Sequence, residues 1–307
     1  MVARDEPAGA FHGRTLLARL QAAPTPVRWA IAALILLLLW YGVLGGLRAG
    51  IAPDQALRAG DVFRPAGGSA ALALAARLVE REVADRAFTP NDSLLHPTAF
   101  ARQTAAYQRG VVETVARLLP ALPAVASPRD PAFGELVARA ERELATPADR
   151  GWLALAWPPV RVPAERRYLN AVRLLREANR ALAATPSASA PSPALATALA
   201  AIAEVAAGAA AEGEAVLRSG DGPAGRVLAR QRGVATAAGV LLRGLREDHA
   251  AAIRASGRAA SLALATDALD RAADVDRRFA FSSGLVECGY ALLTAARALE
   301  EAARGLG

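Results

Sequence analysis

The run WAIAALILLLLWYGVLGGL, from Trp29 to Leu47, contains no charged residue and no proline. As a helix it is long enough to cross the hydrocarbon core of a bilayer, which is roughly 30 Å thick. Arg28 and Arg48 flank the run, and long cationic side chains at such positions reach the headgroup layer. We therefore predict one transmembrane helix over residues 28–48. A buried core helix and a cleaved signal peptide are alternatives that fit so uniform a run less well.

The predicted membrane helix at 28–48 is one of four parts of the chain. We expect a cytoplasmic tail at 1–27, a tether rich in Gly and Pro at 49–68, and a helical extracytoplasmic domain at 69–307. Four arginines precede the apolar run and three follow it before residue 69. This bias places the tail in the cytoplasm and the large domain in the periplasm, beside the bacterial inner membrane. Within that domain, a run of Pro, Ser and Ala near 185–193 predicts a flexible surface loop.

The composition predicts helices throughout the large domain. Hydrophobic residues make up 53% of the chain and aromatic residues only 5%, and abundant Ala and Leu favour helices that pack closely. No stretch alternates with the two-residue period of a half-buried strand. We therefore predict an all-α chain, with one N-terminal transmembrane helix followed by a bundle-like soluble domain. The predicted helices of that domain run over about 69–87, 97–119, 131–144, 164–184, 194–218, 225–255, 258–276 and 283–304.

The charge of the chain is strongly basic, with a formal net charge of +7. Such a balance is typical of nucleic-acid-binding proteins when the basic residues share one face. Here every basic residue is Arg, and the arginines alternate with Asp and Glu along nearly every segment. We therefore predict a solvated helix surface without a distinct basic face, and no nucleic-acid partner.

The residues that usually hold metals or perform nucleophilic chemistry are few and scattered. Cys288 is the only cysteine, so an intrachain disulfide is excluded, and its apolar context predicts a small buried side chain. The histidines at 12, 96 and 249 lack the spacing of a helical metal pair. For His96 and His249 we expect surface or capping roles. We predict no catalytic residue, no cofactor and no metal site from these patterns.

Two glycine patterns have specific structural interpretations. Gly220, Gly222 and Gly225 spell a dinucleotide-binding fingerprint, but a predicted helix rather than a strand precedes them, so a flexible turn is the better interpretation. Gly42 and Gly46 stand four residues apart in the predicted membrane helix. This spacing lets two membrane helices approach closely. A homodimer through the transmembrane helix is one alternative, and a single helix in contact with the lipid bilayer alone is the other.

The segment LVEREVADRAFTPND, from Leu78 to Asp92, ends the first helix of the large domain. Its Thr89-Pro90-Asn91-Asp92 sequence has the spacing of a capping box, with Pro90 at the first helical position and Asp92 reaching back to Thr89. We therefore expect an architectural role for this segment, in which it ends one helix and begins the next.

This segment resembles an uncharacterised bacterial family, domain of unknown function 2333. Members of that family have an N-terminal membrane anchor and a helical domain with an Arg-Glu pair followed by an aromatic-Thr-Pro-Asn-Asp motif. Phe88 stands where the family usually has Trp. The matching positions are Arg81, Glu82, Thr89, Pro90, Asn91 and Asp92.

Weaker matches extend the resemblance over most of the soluble domain. An aromatic-Gln-x-Gly group lies at Tyr107, Gln108 and Gly110. The single matching positions are Pro97, Tyr168, Asn179, Gly289 and Tyr290. An expected Asp-Asn pair is replaced by Arg102-Gln103, and residues 183–225 match poorly. The resemblance implies a divergent member with a membrane-anchored helical fold, and it brings no known reaction with it.

Two hypotheses for the function follow. The first is a non-enzymatic envelope protein that acts as a scaffold or contacts a protein partner beside the membrane. The second is an envelope hydrolase in which Glu82, Asp92 and His96 act as acid, base or metal ligands, because carboxylates and an imidazole together can perform general acid–base chemistry. The sequence favours the first, since no recognisable catalytic constellation is present.

Overall fold

The three-dimensional structure of the chain is a computed structural model. It describes residues 24–44, 57, 60, 62–86, 88–92, 96, 98, 101–126, 131–151, 161–184, 192–220, 222–275 and 281–306. Over these residues the chain folds into helices and contains no strand, which confirms the predicted all-α fold class. Several predicted parts lie outside the described residues: residues 1–23 of the predicted tail at 1–27, Gly46, most of the predicted tether at 49–68, and 185–191 of the predicted loop.

Eleven α-helices lie within the described residues. In order they are α1 (Thr25–Leu38), α2 (Ala70–Glu80), α3 (Arg102–Leu118), α4 (Leu122–Ala126), α5 (Pro131–Leu144), α6 (Ala164–Ala184), α7 (Ser192–Ser219), α8 (Ala224–Asp248), α9 (Ala250–Ala255), α10 (Ala259–Asp274) and α11 (Phe281–Arg304). Wider π-helical turns extend α1 over Leu39–Leu44 and α2 over Arg81–Asp85. A 3-10 turn at Leu119–Ala121, which contains Pro120, joins α3 to α4.

The N-terminal helix α1 lies outside the hydrophobic core. None of its residues is buried, and its apolar window over Thr25–Val43 has a mean hydropathy of 1.8. Large apolar side chains such as Leu36 and Leu38 are 71% and 62% exposed. An exposed apolar helix of this length is a candidate membrane span, as the sequence predicts.

A second helix, α7, is also long and apolar enough to cross a membrane. Half of its apolar window is buried, however, and Leu195, Leu199 and Ile202 are each 1% exposed in the core. The helix packs against α8 and α11. Its hydropathy is therefore that of a core helix in the bundle.

The bundle is built around α8. This helix contacts α2, α3, α7, α10 and α11, and its residues are buried over most of its length. Many of them are small, including Ala235, Ala237 and Ala238. A helix that is buried on all sides needs apolar or small residues around its whole circumference. Around α8, the outer helices pair with one another: α5 with α6, α6 with α2, and α11 with α7 and α10.

The backbones of α3 and α8 touch through two glycines. A Cβ added at Gly110 would overlap the carbonyl oxygen of Arg230, and a Cβ added at Gly233 would overlap that of Tyr107. Both neighbours are main-chain atoms, which move only if the helix moves. These two glycines therefore set the distance and the register between α3 and the central helix.

The predicted single helix over 225–255 is wrong, because the structure divides it at His249. This residue has φ −116° and ψ 25°, outside the helical region, and separates α8 from α9. No Gly or Pro marks the break in the sequence. The physical reason lies in another helix: the carboxylate of Asp248, the last residue of α8, accepts hydrogen bonds from the backbone amides of Ala70 and Ala71 at 2.7 and 3.1 Å.

The start of α2 at Ser69 agrees with the sequence prediction. The hydroxyl oxygen of Ser69 accepts a hydrogen bond from the amide of Leu72 at 3.2 Å, as an N-cap residue does. Asn179 of α6 holds the same residue from the other side, accepting from its amide at 2.7 Å and donating to its carbonyl at 3.1 Å. The first turn of α2 is thus fixed by side chains from both α6 and α8.

The C-terminal end of the predicted tether lies against the bundle. Over residues 62–68, Val62 packs partly against the core, and Arg64 forms an ion pair with Glu247 at 2.9 Å. The chain therefore enters the bundle beside α2 and the end of α8.

We expect Gly233→Ala to lower the melting temperature of the chain. The added methyl group meets the Tyr107 carbonyl oxygen, and overpacking of this kind costs about 1–3 kcal/mol. Gly208→Ala in α7 is the matched control, because a Cβ there meets no heavy atom within 4 Å. The control should gain about 0.5–1 kcal/mol from helix propensity alone. Thermal unfolding followed by circular dichroism measures both, and a Gly233→Ala variant as stable as the control would contradict the close backbone contact.

Candidate functional site

A buried ionic cluster forms where α2 widens into its π-helical turn. Glu82 is 0% exposed, and its Oε1 accepts hydrogen bonds from Arg81 Nε at 3.1 Å and from Arg86 at 3.0 Å. A carboxylate buried away from water requires such partners, because losing its hydration is costly. Its second oxygen, Oε2, has no hydrogen-bond partner among the described residues.

Gln108 of α3 connects this turn to the segment that follows it. Its Nε2 donates to the carbonyl of Glu82 at 3.2 Å. Its Oε1 accepts from both the amide and the hydroxyl of Thr89, at 2.9 and 3.1 Å. One side-chain amide, 1% exposed, therefore joins α3 to both sides of the break after α2.

Tyr107 lies beside the same cluster and is 2% exposed. Burial, together with the negative charge of Glu82, raises the pKa of its phenol. The hydroxyl donates to Thr236 Oγ1 of α8 at 3.2 Å, and Thr236 in turn donates to the carbonyl of Arg232 at 2.8 Å. A phenol is protonated at neutral pH at its ordinary pKa of about 10, and Tyr107 acts as a hydrogen-bond donor between α3 and α8.

The predicted capping box at Thr89–Asp92 is wrong. The Thr89 hydroxyl donates to Gln108 and does not cap a helix, and the amide of Asp92 donates to the Thr89 carbonyl at 3.2 Å. The described residues form a turn there, and the next described helix begins at Arg102. The capping box does not form because the buried Oε1 of Gln108, on α3, accepts the hydrogen bond of the Thr89 hydroxyl instead. Asn91 reaches the carbonyl of Arg150 only at 3.5 Å.

Asp92, His96 and Thr98 form a second, more exposed cluster. His96 Nδ1 lies 2.6 Å from Thr98 Oγ1 and 3.2 Å from Asp92 Oδ2, and Thr98 Oγ1 donates to the same carboxylate oxygen. A nucleophile–histidine–carboxylate relay places its two partners on opposite ring nitrogens. Here both partners share Nδ1, so this geometry stabilises a turn and is not that of a relay.

The structure thus brings the predicted residues into two groups. Arg81, Glu82, Thr89 and Gln108 share one cluster, although Gln108 was singled out only by the family resemblance. Among the described residues, no hydrogen bond or ion pair joins the Glu82 carboxylate to Asp92 or His96. The described part of the chain also lacks any group of three or more His, Cys, Asp and Glu residues that could hold a metal ion.

The remaining family positions have separate structural roles. The Tyr168 hydroxyl donates to the Thr146 carbonyl at 2.6 Å, and its ring meets Phe88 edge to face at 5.6 Å. Gly110 lies at the α3–α8 contact. Gly42 belongs to the π-helical turn that extends α1, where a Cβ would meet no atom within 4 Å.

Cys288 is 0% exposed, as the sequence predicts for a small buried side chain. Its thiol donates weakly to the carbonyl of Ala272 at 3.4 Å, and burial raises its pKa to about 12. Since the thiolate is the reactive form, this cysteine is chemically inert in the folded protein.

Comparison of the chain with family models, with curated proteins and with solved structures found no match. The resemblance to domain of unknown function 2333 therefore stays a prediction that rests on the quoted residues.

The surface carries a basic face that the sequence analysis did not predict. The expectation that no such face is present is wrong, because the helical period of α6 gathers arginines that are spread through the sequence. With Leu169 between them, the exposed residues on this side of α6 are Arg166, Arg173, Arg176 and Arg180. We call these five residues the α6 face. The acidic residues that alternate with these arginines in the sequence do not lie on this face. They lie beside it or form ion pairs with arginines at its edge.

We expect Glu82→Gln to destabilise the fold strongly. The substitution keeps the shape of the side chain but leaves Arg81 and Arg86 without the buried carboxylate, and breaking a buried ion pair costs about 3–5 kcal/mol. The melting temperature should fall by on the order of 10 °C. Glu214→Gln is the matched control, since Glu214 pairs with Arg218 in an exposed ion pair, and its melting temperature should equal the parent's.

A Glu82→Gln variant that melts like the parent while its cellular phenotype disappears would contradict an architectural role. In that case Glu82 would be a functional group, and the hydrolase hypothesis would lead.

Proposed function

We propose that this chain is a single-span protein of the bacterial inner membrane, whose helical bundle lies in the periplasm and acts as a scaffold for a protein partner. The observation that carries the proposal is the contrast between α1 and the rest of the molecule. Helix α1 is apolar and has no buried residue, whereas the bundle buries its own core without it. An apolar helix that the fold does not use is explained by insertion into a bilayer.

The buried cluster supports a scaffold better than a hydrolase. An acid or base must come within hydrogen-bond reach of its substrate. Glu82 is completely enclosed and held by two arginines, and Gln108 beside it is almost as deeply buried. These residues join α2 to α3 and present no reactive group to solvent.

A surface suited to a protein partner lies on α11. Val286, Tyr290 and Leu293 are 59%, 74% and 41% exposed, and their spacing places them on one side of the helix. Contiguous exposed apolar residues with a polar rim mark protein interaction sites, and an exposed Tyr is a residue type enriched in them. We name these three residues the α11 stripe. A homodimer through Gly42 and Gly46 is a further proposal of the same kind.

We expect the double substitution Leu36→Arg and Leu37→Arg to release the chain from the membrane fraction. Two charges at the centre of a membrane helix cost several kcal/mol of insertion free energy. Leu217→Arg, at a partly exposed position in α7, is the control and should stay with the membranes. Alkaline extraction of membranes measures both, and a parent chain that is extracted like the double variant would contradict the membrane span.

Thiol labelling of intact spheroplasts tests the orientation. Because Cys288 is buried, a cysteine placed at the exposed Ser219 becomes the accessible thiol, and an impermeant maleimide should label it in intact spheroplasts. A cysteine placed at Ala8 should react only after lysis. The reverse pattern would place the bundle in the cytoplasm.

We expect a photo-cross-linking residue at Tyr290 to form a discrete adduct in intact cells. The adduct should disappear when Val286 and Leu293 are replaced by Ser, because those substitutions remove the apolar surface but touch little of the core. The same cross-linker at the exposed Arg226 is the control. Equal adducts at both positions, or none at either, would argue against a scaffold that uses the α11 stripe.

A further inference from the structure

Three arginines of the α6 face stand outside the ion pairs that the described residues form. Arg166, Arg173 and Arg180 follow one another at seven-residue intervals, so about 10 Å separates each from the next along the helix. Among the described residues, none of the three has a carboxylate within ion-pair distance. By contrast, Arg176 is paired with Glu80 at 2.6 Å.

The acidic residues near this face do not cancel its charge. Glu80 is shared between Arg176 and Arg77, and Glu143 pairs with Arg167 at 3.2 Å. Glu165 and Glu177 of α6 are half-buried on the flanks of the helix. The exposed side of α6 therefore presents arginine side chains outward, with the carboxylates set back from them.

The chain enters the bundle beside this face. A groove of about 430 Å³ is lined by Val62, Phe63 and Pro65 on one side and by Leu175 and Arg180 of α6 on the other. Arg77 and Glu80 of α2 also line this groove, so its walls are both charged and apolar. Phe63 is 89% exposed at its edge. Leu169 of α6 and Val162, which lies just before α6, are 41% and 48% exposed. The basic face is thus interspersed with exposed apolar side chains.

We propose that the α6 face, together with Phe63, docks on the anionic headgroups of the same bilayer that α1 crosses. This inference rests on the proposed membrane span. Seventeen residues, 45–61, separate the described end of α1 from Val62, and they reach at most about 60 Å. So short a connection holds the face near the bilayer at high effective concentration.

Charge and shape both fit a lipid surface. Anionic headgroups attract arginines that lie close to a membrane helix. Apolar side chains such as Phe63 and Leu169 insert at the boundary between headgroups and acyl chains, while arginine stems extend along it. A nucleic acid would neutralise the arginines but would leave these apolar side chains in water. The bilayer satisfies both kinds of group.

The test uses the full chain in nanodiscs of two compositions, one zwitterionic and one containing phosphatidylglycerol. Phe63→Cys carries an environment-sensitive fluorophore, and quencher-labelled lipids report its contact with the bilayer. We expect quenching that is strong with phosphatidylglycerol and lost at high salt. The triple variant Arg166→Gln, Arg173→Gln, Arg180→Gln should weaken docking by roughly fivefold per arginine removed.

The matched control triple is Arg226→Gln, Arg254→Gln and Arg304→Gln, which removes the same charge from exposed positions elsewhere. It should dock like the parent. Quenching that is equal in zwitterionic and phosphatidylglycerol nanodiscs would overturn the proposal. So would quenching that falls equally in the α6 triple variant and in the control triple variant. So would loss of oligonucleotide binding in the α6 triple while its lipid contact persists. Failure of the membrane span itself is distinguishable, because the chain would then elute apart from the nanodiscs.

Discussion

The burial of one negative charge constrains the whole N-terminal half of the bundle. Glu82 is removed from water at the point where α2 widens, and its carboxylate is tolerated only because two guanidinium groups accompany it. Those arginines keep their positions only if the turn keeps its π-helical geometry. Gln108 then ties that turn to α3, and α3 is held against α8 by direct backbone contact at Gly110. The ion pairs of Glu82, the hydrogen bonds of Gln108 and the backbone contact at Gly110 are thus linked in series. A change at Glu82 therefore affects the packing of α2, α3 and α8.

The sequence predicts the fold class because helical periodicity and composition are local properties. The start of α2 at Ser69 and the burial of Cys288 are predicted for the same reason. Three features escape such reasoning. The helix break at His249 depends on the hydrogen bonds from α2 to Asp248. The Thr89 hydroxyl bonds to an acceptor on α3. The basic face forms only when the arginines of α6 are brought to one side of a helix. Each is decided by a partner distant in sequence. The candidate site was predicted as a set of residues, but its division into two clusters needed the tertiary structure.

The function that we propose uses the outer surfaces of the protein, and the buried polar groups described above join helices to one another. The buried cluster joins helices, and the Asp92–His96 cluster stabilises a turn. The two unusual surfaces lie on different helices: the α6 face is cationic and adjoins the entry of the chain, whereas the α11 stripe is apolar and belongs to the C-terminal helix. In the arrangement that we propose, one surface holds the bundle on lipid and the other remains free for a protein.

The capping of α2 has a consequence for the order of folding during synthesis. Its first amide groups are bonded by Asp248, which follows Ala70 by 178 residues in the chain. At a translation rate of about 5–20 residues per second, this carboxylate emerges roughly nine to thirty-six seconds after the helix that it caps. Until then the helix start has only the local Ser69 hydroxyl and, once α6 has formed, Asn179. The N-terminal half of the nascent chain therefore lacks part of its packing until the C-terminal half has been synthesised. During this interval its apolar surface is accessible to a chaperone.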